Sequence, residues 1–271
     1  FGNILVGTSG SASLSVTNVG GQGSTLSGTF PGAEGEFASA GDTAFGPLEA
    51  GQDAAREYSF APTARGASEQ SIVLATSAGN MPITLAGVGV APVSSVAQDV
   101  PGYALVGSAG TATVTVKNIG DGNLSGLGEV SNLQGSVSGG SGNFTGDGGD
   151  FSLADGASAT FQYHFALTMR GETKSATITA SFSNGSPNGT NSAHSQDIVL
   201  SVMGVAPVQS VDATAAQAGL VRIGTTGTAA FTISNLGDGN LSGLGEESNL
   251  RGEVSAGSGN FAGDGGSFSL I

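Results

Sequence analysis

The 271-residue chain has no cysteine and no tryptophan. Without thiols there are no disulfides, no thiolate metal centres and no cysteine nucleophile. That is compatible with a long bacterial surface protein and does not fix a compartment. The lack of tryptophan, with only 3 tyrosines, leaves little exposed aromatic surface of the amphipathic kind that recognition sites use. Basic residues are scarce as well, 7 against 21 acidic ones, for a net charge of −14. Nucleic acid is therefore a poor partner, because binding it needs a basic footprint, and an anionic membrane surface is disfavoured for the same reason. The acidity reads as solubility and mutual repulsion outside a cell, with cation binding as the sharper alternative. No apolar run is long enough to span a bilayer and no signal peptide is visible. The chain opens at Phe1 without a starting Met, so the absence of a leader carries little meaning.

Glycine, at 48 residues, is what the chain has in abundance. It falls between apolar stretches without a triplet period, which excludes collagen. A hydrophobic content of 38% and a clean alternation argue against disorder. The organising stretch is TATVTVKNIGDGNLSGLGE at 111–129. It returns as TAAFTISNLGDGNLSGLGE at 228–246 and, more loosely, as SASLSVTNVGGQGSTLSG at 11–28. In the second copy Ala112, Val114 and Val116 alternate with Thr111, Thr113 and Thr115. Ala229, Phe231 and Ile233 do so in the third copy, and Ala12, Leu14 and Val16 in the first. A period of two predicts antiparallel strands with one face on a core and a hydroxyl-rich face in water. Each strand ends at Asn18, Asn118 or Asn235 with glycine two residues later, a turn signal.

Asn118 and Asn235 are 117 residues apart, and Asn18 and Asn118 are 100 apart. Units of that size can each bury a core and are too long for solenoid repeats. Three are expected: 1–92, with its first strand truncated; 93–207; and 208–271, the N-terminal part of a third. Within them Tyr58 and Phe60 are expected in the core, as are Ala159, Phe161, Tyr163 and Phe165, which alternate with Thr160, Gln162 and His164. Further strands are expected at 71–77, 175–185 and 197–207. No segment shows a helical period with caps. NFAGDGGSFSLI at 260–271 matches NFTGDGGDFSLA at 143–154, and counterparts of the strands from Ser158 onward are missing. The expectation is an excerpt of a longer repeat protein, with completion of the third unit by a neighbouring molecule as the rival.

The set FGNILVG, a strand ending TNVG, PLEAG, YSFAPTARG and ITLAGVGVAP resembles the ASH/Hydin-type immunoglobulin-like domains, most nearly the bacterial choice-of-anchor D repeats. The resemblance covers the first unit and, with insertions, the second. It implies an all-β chain of tandem immunoglobulin-like β-sandwich domains, seven strands each, acting as spacers or interaction modules without enzymatic activity. The second unit departs from the pattern, carrying FSLADGASATFQYHF where PLEAG would stand.

Candidate sites are few. Asp121, Asp147, Asp150, Asp155, Asp238 and Asp264 lie in Asp/Gly clusters. Carboxylates on flexible loops suit calcium, but neither the EF-hand nor the calcium-roll spacing is present, and Asp-Gly pairs also simply build turns. GDGNLSGLG lacks the lysine, the following helix and the basic neighbours of a phosphate loop. The only two histidines, His164 and His194, are too few for a multi-histidine centre and stand in no Ser-His-Asp motif, so exposed, non-catalytic roles are expected. Arg65 and Arg170 each precede glycine at matching positions and are expected to tie a loop to a carboxylate or carbonyl. Asn123, Asn143, Asn184, Asn188 and Asn240 are glycosylation sequons. No catalytic, cofactor or metal residue is assigned.

Three functions are weighed. The first is a structural and adhesive repeat of an extracellular bacterial stalk, sheath or filament, its partners being neighbouring repeats or other copies of the protein. The second is a surface domain for ligands such as glycans. The third is an intracellular ASH-type scaffold, against which the Gly/Ser/Thr surface argues. An enzyme lacks a visible nucleophile–base pair.

Overall fold

The alternating stretch of the second copy becomes the strand Ala109–Asn118, with Ala112, Val114 and Val116 fully buried and Thr111, Thr113 and Thr115 turned to the outer face. This comes from a computed structural model, which describes residues 1–124, 126–213, 218–241 and 243–271. The chain is all-β: tandem immunoglobulin-like sandwiches, followed by a third segment that forms strand pairs without closing a sandwich. No α-helix occurs among the described residues; the helical content is two three-residue 3₁₀ turns, Glu129–Ser131 and Glu246–Ser248.

The first sandwich contains β1 (Asn3–Leu5), β2 (Gly10–Thr17), β3 (Thr25–Thr29), β4 (Phe37–Ala40), β5 (Ala44–Glu49), β6 (Asp53–Phe60), β7 (Gly66–Thr76) and β8 (Gly79–Val90). One sheet runs β1-β8-β7-β3-β5 and the other β2-β6-β4. The second contains β9 (Ser94–Asp99), β10 (Tyr103–Leu105), β11 (Ala109–Asn118), β12 (Leu133–Val137), β13 (Gly149–Leu153), β14 (Ser158–Ala166), β15 (Thr173–Phe182) and β16 (His194–Val205). Its sheets run β10-β16-β15-β12-β13 and β14-β11-β9. Among the described residues each sandwich has eight strands, where the family resemblance implied seven. In the second unit the opening segment accounts for two of them. Its first half pairs antiparallel with β11, and its second half crosses to pair parallel with β16. The matching FGNILVG and PGYALVG segments make the same parallel pairing, Asn3 opposite Val88 and Tyr103 opposite Met203.

Between the sheets sit Phe37, Tyr58, Phe60, Ile72 and Leu85 in the first unit. The second unit holds a larger core that includes Val114, Leu133, Phe144, Tyr163, Ile178 and Leu200. Burying each such side chain stabilises by about 1.5–3 kcal/mol, which is why the period-two pattern dictates the layers. Tyr58 and Tyr163 lie in equivalent strands and solve the same problem the same way. Each buried ring sends its hydroxyl to a backbone carbonyl, Pro31 at 2.8 Å and Ser138 at 2.7 Å.

In the third segment β17 (Gln209–Asp212) pairs with β18 (Thr232–Asn235), and β19 (Leu250–Val254) with β20 (Gly266–Leu270). The strand expected over 228–235 is realised only from Thr232, and Phe231 is about half exposed. The physical reason is pairing. In the second unit β14 flanks β11 along nine opposed residues, whereas among the described residues β18 pairs with β17 and no other strand. Phe261 is likewise 66% exposed where its repeat counterpart Phe144 is fully buried.

Candidate functional site: the joints between units

The Asn-x-Gly-Asp turn after β11 is where the second unit grips the first. Asn118 is fully buried, and its amide group makes four hydrogen bonds. Oδ1 accepts from the Val93 and Gly120 amides; Nδ2 donates to the carbonyls of Asp121 and Leu153. Val93 belongs to the connector Ala91-Pro92-Val93, all that separates β8 from β9. The connector lies along the turn as a short ladder, Ile119 N–H to Val93 O and Asp121 N–H to Ala91 O, both 2.9 Å. Gly120 permits that approach: a Cβ there would sit 2.5 Å from Val93 N and 2.6 Å from Ala91 O.

Asp121 then closes the joint. One carboxylate oxygen accepts from the Ala91 amide at 3.0 Å and from Arg65 Nε at 2.7 Å. Arg65 stands on the β6–β7 loop of the first unit, so the ion pair links one sandwich to the next. The same loop is braced from within by Glu36, whose carboxylate accepts from the Thr63 amide and hydroxyl and from Ser68. The second joint repeats the first. Asn235 accepts from the Val208 and Gly237 amides, Asp238 accepts from the Ala206 amide at 3.1 Å, and Arg170 meets Asp238 through two nitrogens at 2.6 and 3.0 Å. Glu172 takes the bracing role there, accepting from Thr168 and from the Met169 amide. In the first unit the turn reads Asn18-Val19-Gly20-Gly21. Asn18 still ties the turn, but Gly21 stands where the other two copies have aspartate.

Burial pushes the Asp121 carboxyl up, but the Arg65 hydrogen bond, the Ala91 amide and the Arg65 charge outweigh it and hold the group below the ordinary range. Arg170 does the same for Asp238, and both arginines are raised in turn. A carboxylate with a depressed folded-state pKa contributes stability above its unfolded value, and the contribution is lost as pH falls through the folded value. The joints are therefore expected to hold unchanged from neutral pH down to the ordinary aspartate value of 3.8 and to loosen below it. Melting the native chain beside Asp121→Asn across that range checks this: the difference in Tm should be flat above about pH 5 and shrink in acid.

The structure distributes the other sequence candidates widely. Of the six aspartates weighed for calcium, Asp121 and Asp238 are engaged by arginine. Asp150 lies in β13 opposite Ser136, and Asp155 contributes to the field at Arg65. Asp147 and Asp264 are exposed and lie in the loops leading into β13 and β20. Among the described residues no group of three or more His, Asp or Glu side chains is arranged to hold a metal. The 3₁₀ turns of GDGNLSGLGE satisfy themselves: Ser131 Oγ donates to Gly128 O and accepts from Leu124 N–H, and Ser248 repeats this with Gly245 and Leu241.

His164 is exposed, with Nδ1 3.1 Å from Thr111 Oγ1. His194 corrects the expectation of an exposed loop residue. It begins β16, is partly buried, stacks on Phe182 at 4.3 Å between ring centres, and sets Nε2 3.0 Å from Ser94 Oγ. Among the sequons, Asn184 is tied on both sides of its amide, to Gln134 N–H and Asn132 O. Asn143 and Asn188 are exposed. Asn123 and Asn240 adopt positive φ in their turns, while their hydroxyl partners Ser125 and Ser242 lie outside the described residues.

Sequence reasoning anticipated that Arg65 and Arg170 tie a loop, but not to which partner. The signal was present: aspartate follows Asn-x-Gly in the two copies that have an arginine-bearing unit before them. The β15–β16 loop was also missed as a contact. Its Thr190, Asn191 and Ser192 face Thr8, Ser9, Pro62 and Thr63 of the first unit across a cleft of about 590 Å³.

No protein-family model and no curated protein matches the chain. Among solved structures, similarity is found to a protein of unknown function from Porphyromonas gingivalis W83, at 15% identity over 74% of this chain and 93% of that one, TM-score 0.28. A second is the Pseudomonas aeruginosa CupB2 chaperone, at 10% identity over 69% and 91%, TM-score 0.22. A third is the CsuC-CsuE chaperone–tip adhesion subunit complex of Acinetobacter baumannii, at 11% identity over 75% and 95%, TM-score 0.24. Scores this low carry no functional argument; the strand pairing itself defines the fold. No helix among the described residues is long and apolar enough to cross a membrane.

Proposed function

We propose that the chain is a non-enzymatic run of immunoglobulin-like spacer units from an extracellular bacterial stalk, sheath or filament, related to the ASH/Hydin-type and choice-of-anchor D repeats. One observation carries this reading: the same joint, with the same connector ladder, an asparagine tying the turn to the connector and an arginine–aspartate pair, is built twice in succession. A three-residue connector hydrogen-bonded along its length leaves little freedom between units, unlike the Gly/Ser linkers that join independently moving domains. Rigid joints repeated in series transmit position and load over distance, which is what a spacer does. The acidic surface keeps neighbouring stalks apart, and contacts made by each unit add through multivalency.

Electron microscopy of the source cell surface tests the reading. Extended features with density repeating at the spacing of one sandwich are expected. Isolated particles with no extended assembly, together with a positive glycan-array signal, would replace the spacer with a ligand-binding domain.

A further inference from the structure

At one position the two sandwiches put different chemistry on the same inward face. In the first unit Ala12 stands opposite Tyr58 and Leu14 opposite Arg56; in the second Ala112 stands opposite Tyr163 and Val114 opposite Phe161. Arg56 thus takes the place of a core phenylalanine. It is 7% exposed and shares its face of β6 with the buried Tyr58 and Phe60. A phenylalanine suffices for folding there, as the second unit shows: Phe161 packs on Phe151 with ring centres 6.5 Å apart. Phe45 is the counterpart of Phe151, each opposite a glycine of the neighbouring strand. The arginine is therefore no demand of the fold, and burying its charge without a carboxylate is costly.

Among the described residues Arg56 forms no ion pair. Nη1 donates to the carbonyls of Phe30 at 2.9 Å and Pro31 at 3.3 Å. Nε is shut off from solvent with no hydrogen-bond partner, and Nη2 makes no hydrogen bond to the described residues either. That edge of the guanidinium takes a carboxylate elsewhere in this chain: Arg170 meets Asp238 through Nε at 2.6 Å and Nη2 at 3.0 Å. Arg56 borders a recess of about 530 Å³ between β5, the β4–β5 loop and β6. The recess lies across β6 from β2, and its walls all come from residues 30–57. Phe30, Phe45, Ala44 and Ala54 make them apolar, and the exposed Asp42 and Glu57 stand at the rim.

We propose that this recess binds a small monocarboxylate with an apolar body. The carboxylate accepts from Nε and Nη2 of Arg56, two parallel charge-assisted bonds of the kind Arg170 makes. Because Nε is closed to water, the ligand reaches it only as a wall side chain turns aside, and the bond then forms in a dry site where it is strong. The apolar walls cover the body of the ligand. The rim carboxylates repel a second negative charge, which disfavours dianions. The site stands whether or not the chain is a spacer.

The probe is benzoate, titrated into the intact protein while NMR follows the backbone amides and the arginine Nε–H resonances. A saturable shift is expected at Arg56 Nε–H and at amides within residues 30–57. Arg65 and Arg170, whose Nε atoms already meet aspartate, should not move. Benzamide, of the same shape without the charge, and sulfate, a dianion, should each bind at least about 10-fold more weakly. Arg56→Phe, which restores the residue of the second unit, should fold and lose binding. Arg56→Lys is the second variant, keeping the charge but not the fork, and should weaken binding about 10-fold. Three results would overturn the proposal: no saturable shift at Arg56 Nε–H, equal binding of benzamide, or unchanged binding by a folded variant. A shift of Arg56 Nε–H with protein concentration that benzoate does not reverse would do so too, by assigning the edge to a carboxylate of a second copy.

Discussion

Asn118→Ala should lower the unfolding free energy of the second unit by about 3–5 kcal/mol, the largest effect expected of any single polar substitution here. The side chain has no access to solvent and makes four hydrogen bonds, so truncation strands the Val93 and Gly120 amides and the Asp121 and Leu153 carbonyls. Each buried backbone group left without a partner costs about 1–3 kcal/mol, and water entering the vacated space recovers only part of the sum. Aspartate is no remedy despite its shape, since it can accept from the two amides but cannot donate to the two carbonyls. Denaturant melts with exchange read at core amides of each unit separately would measure the loss. A shift confined to residues 94–205 is expected, and a loss under about 1 kcal/mol would show that the turn tolerates the vacancy.

The second large effect is expected at Gly120. Its substitution by alanine places a methyl 2.5 Å from Val93 N, 2.6 Å from Ala91 O and 2.8 Å from the Pro92 carbonyl carbon. All three are backbone atoms of the connector, so no side-chain rotation relieves the clash. The connector must leave the turn, which breaks the Ile119–Val93 and Asp121–Ala91 hydrogen bonds and draws the Asp121 carboxylate away from Arg65. A cost of about 2–4 kcal/mol is expected, together with a looser joint. Gly20→Ala supplies the contrast. Its new methyl meets the Ser24 side chain and Asn18 Oδ1, with no connector beside it. Ser24 can rotate, so the cost should be about 1 kcal/mol or less. Comparing the two separates a requirement of the joint from one of the turn alone.

How far the sequence carried depended on the range of the interaction. Strands β11 and β14 were legible because a half-buried strand writes its burial into every second residue, as Val114 and Tyr163 show. β9 was not, since only Val96 and its neighbour Val100 in Ser94–Val100 reach the core and no alternation results. The third copy of the organising stretch looked as convincing as the second, yet only Thr232–Asn235 forms a strand. Local pattern states what a strand would bury, and pairing decides whether it forms. The joint lay furthest from view. Arg65 and Asp121 are 56 residues apart and Arg170 and Asp238 are 68 apart, a separation no propensity spans. What betrays them is the comparison among copies, with Gly21 standing where Asp121 and Asp238 recur.

The absence of cysteine makes the central claim directly measurable, because spin labels can be placed without background. Cysteines introduced at the exposed positions Ser71 in β7 and Thr177 in β15 report the separation of the first two sandwiches by pulsed electron resonance. A single narrow distance distribution, broadened by Arg65→Ala and by Gly120→Ala, is the result the rigid joint requires. A broad distribution in the unsubstituted joint, unchanged by either substitution, would contradict it.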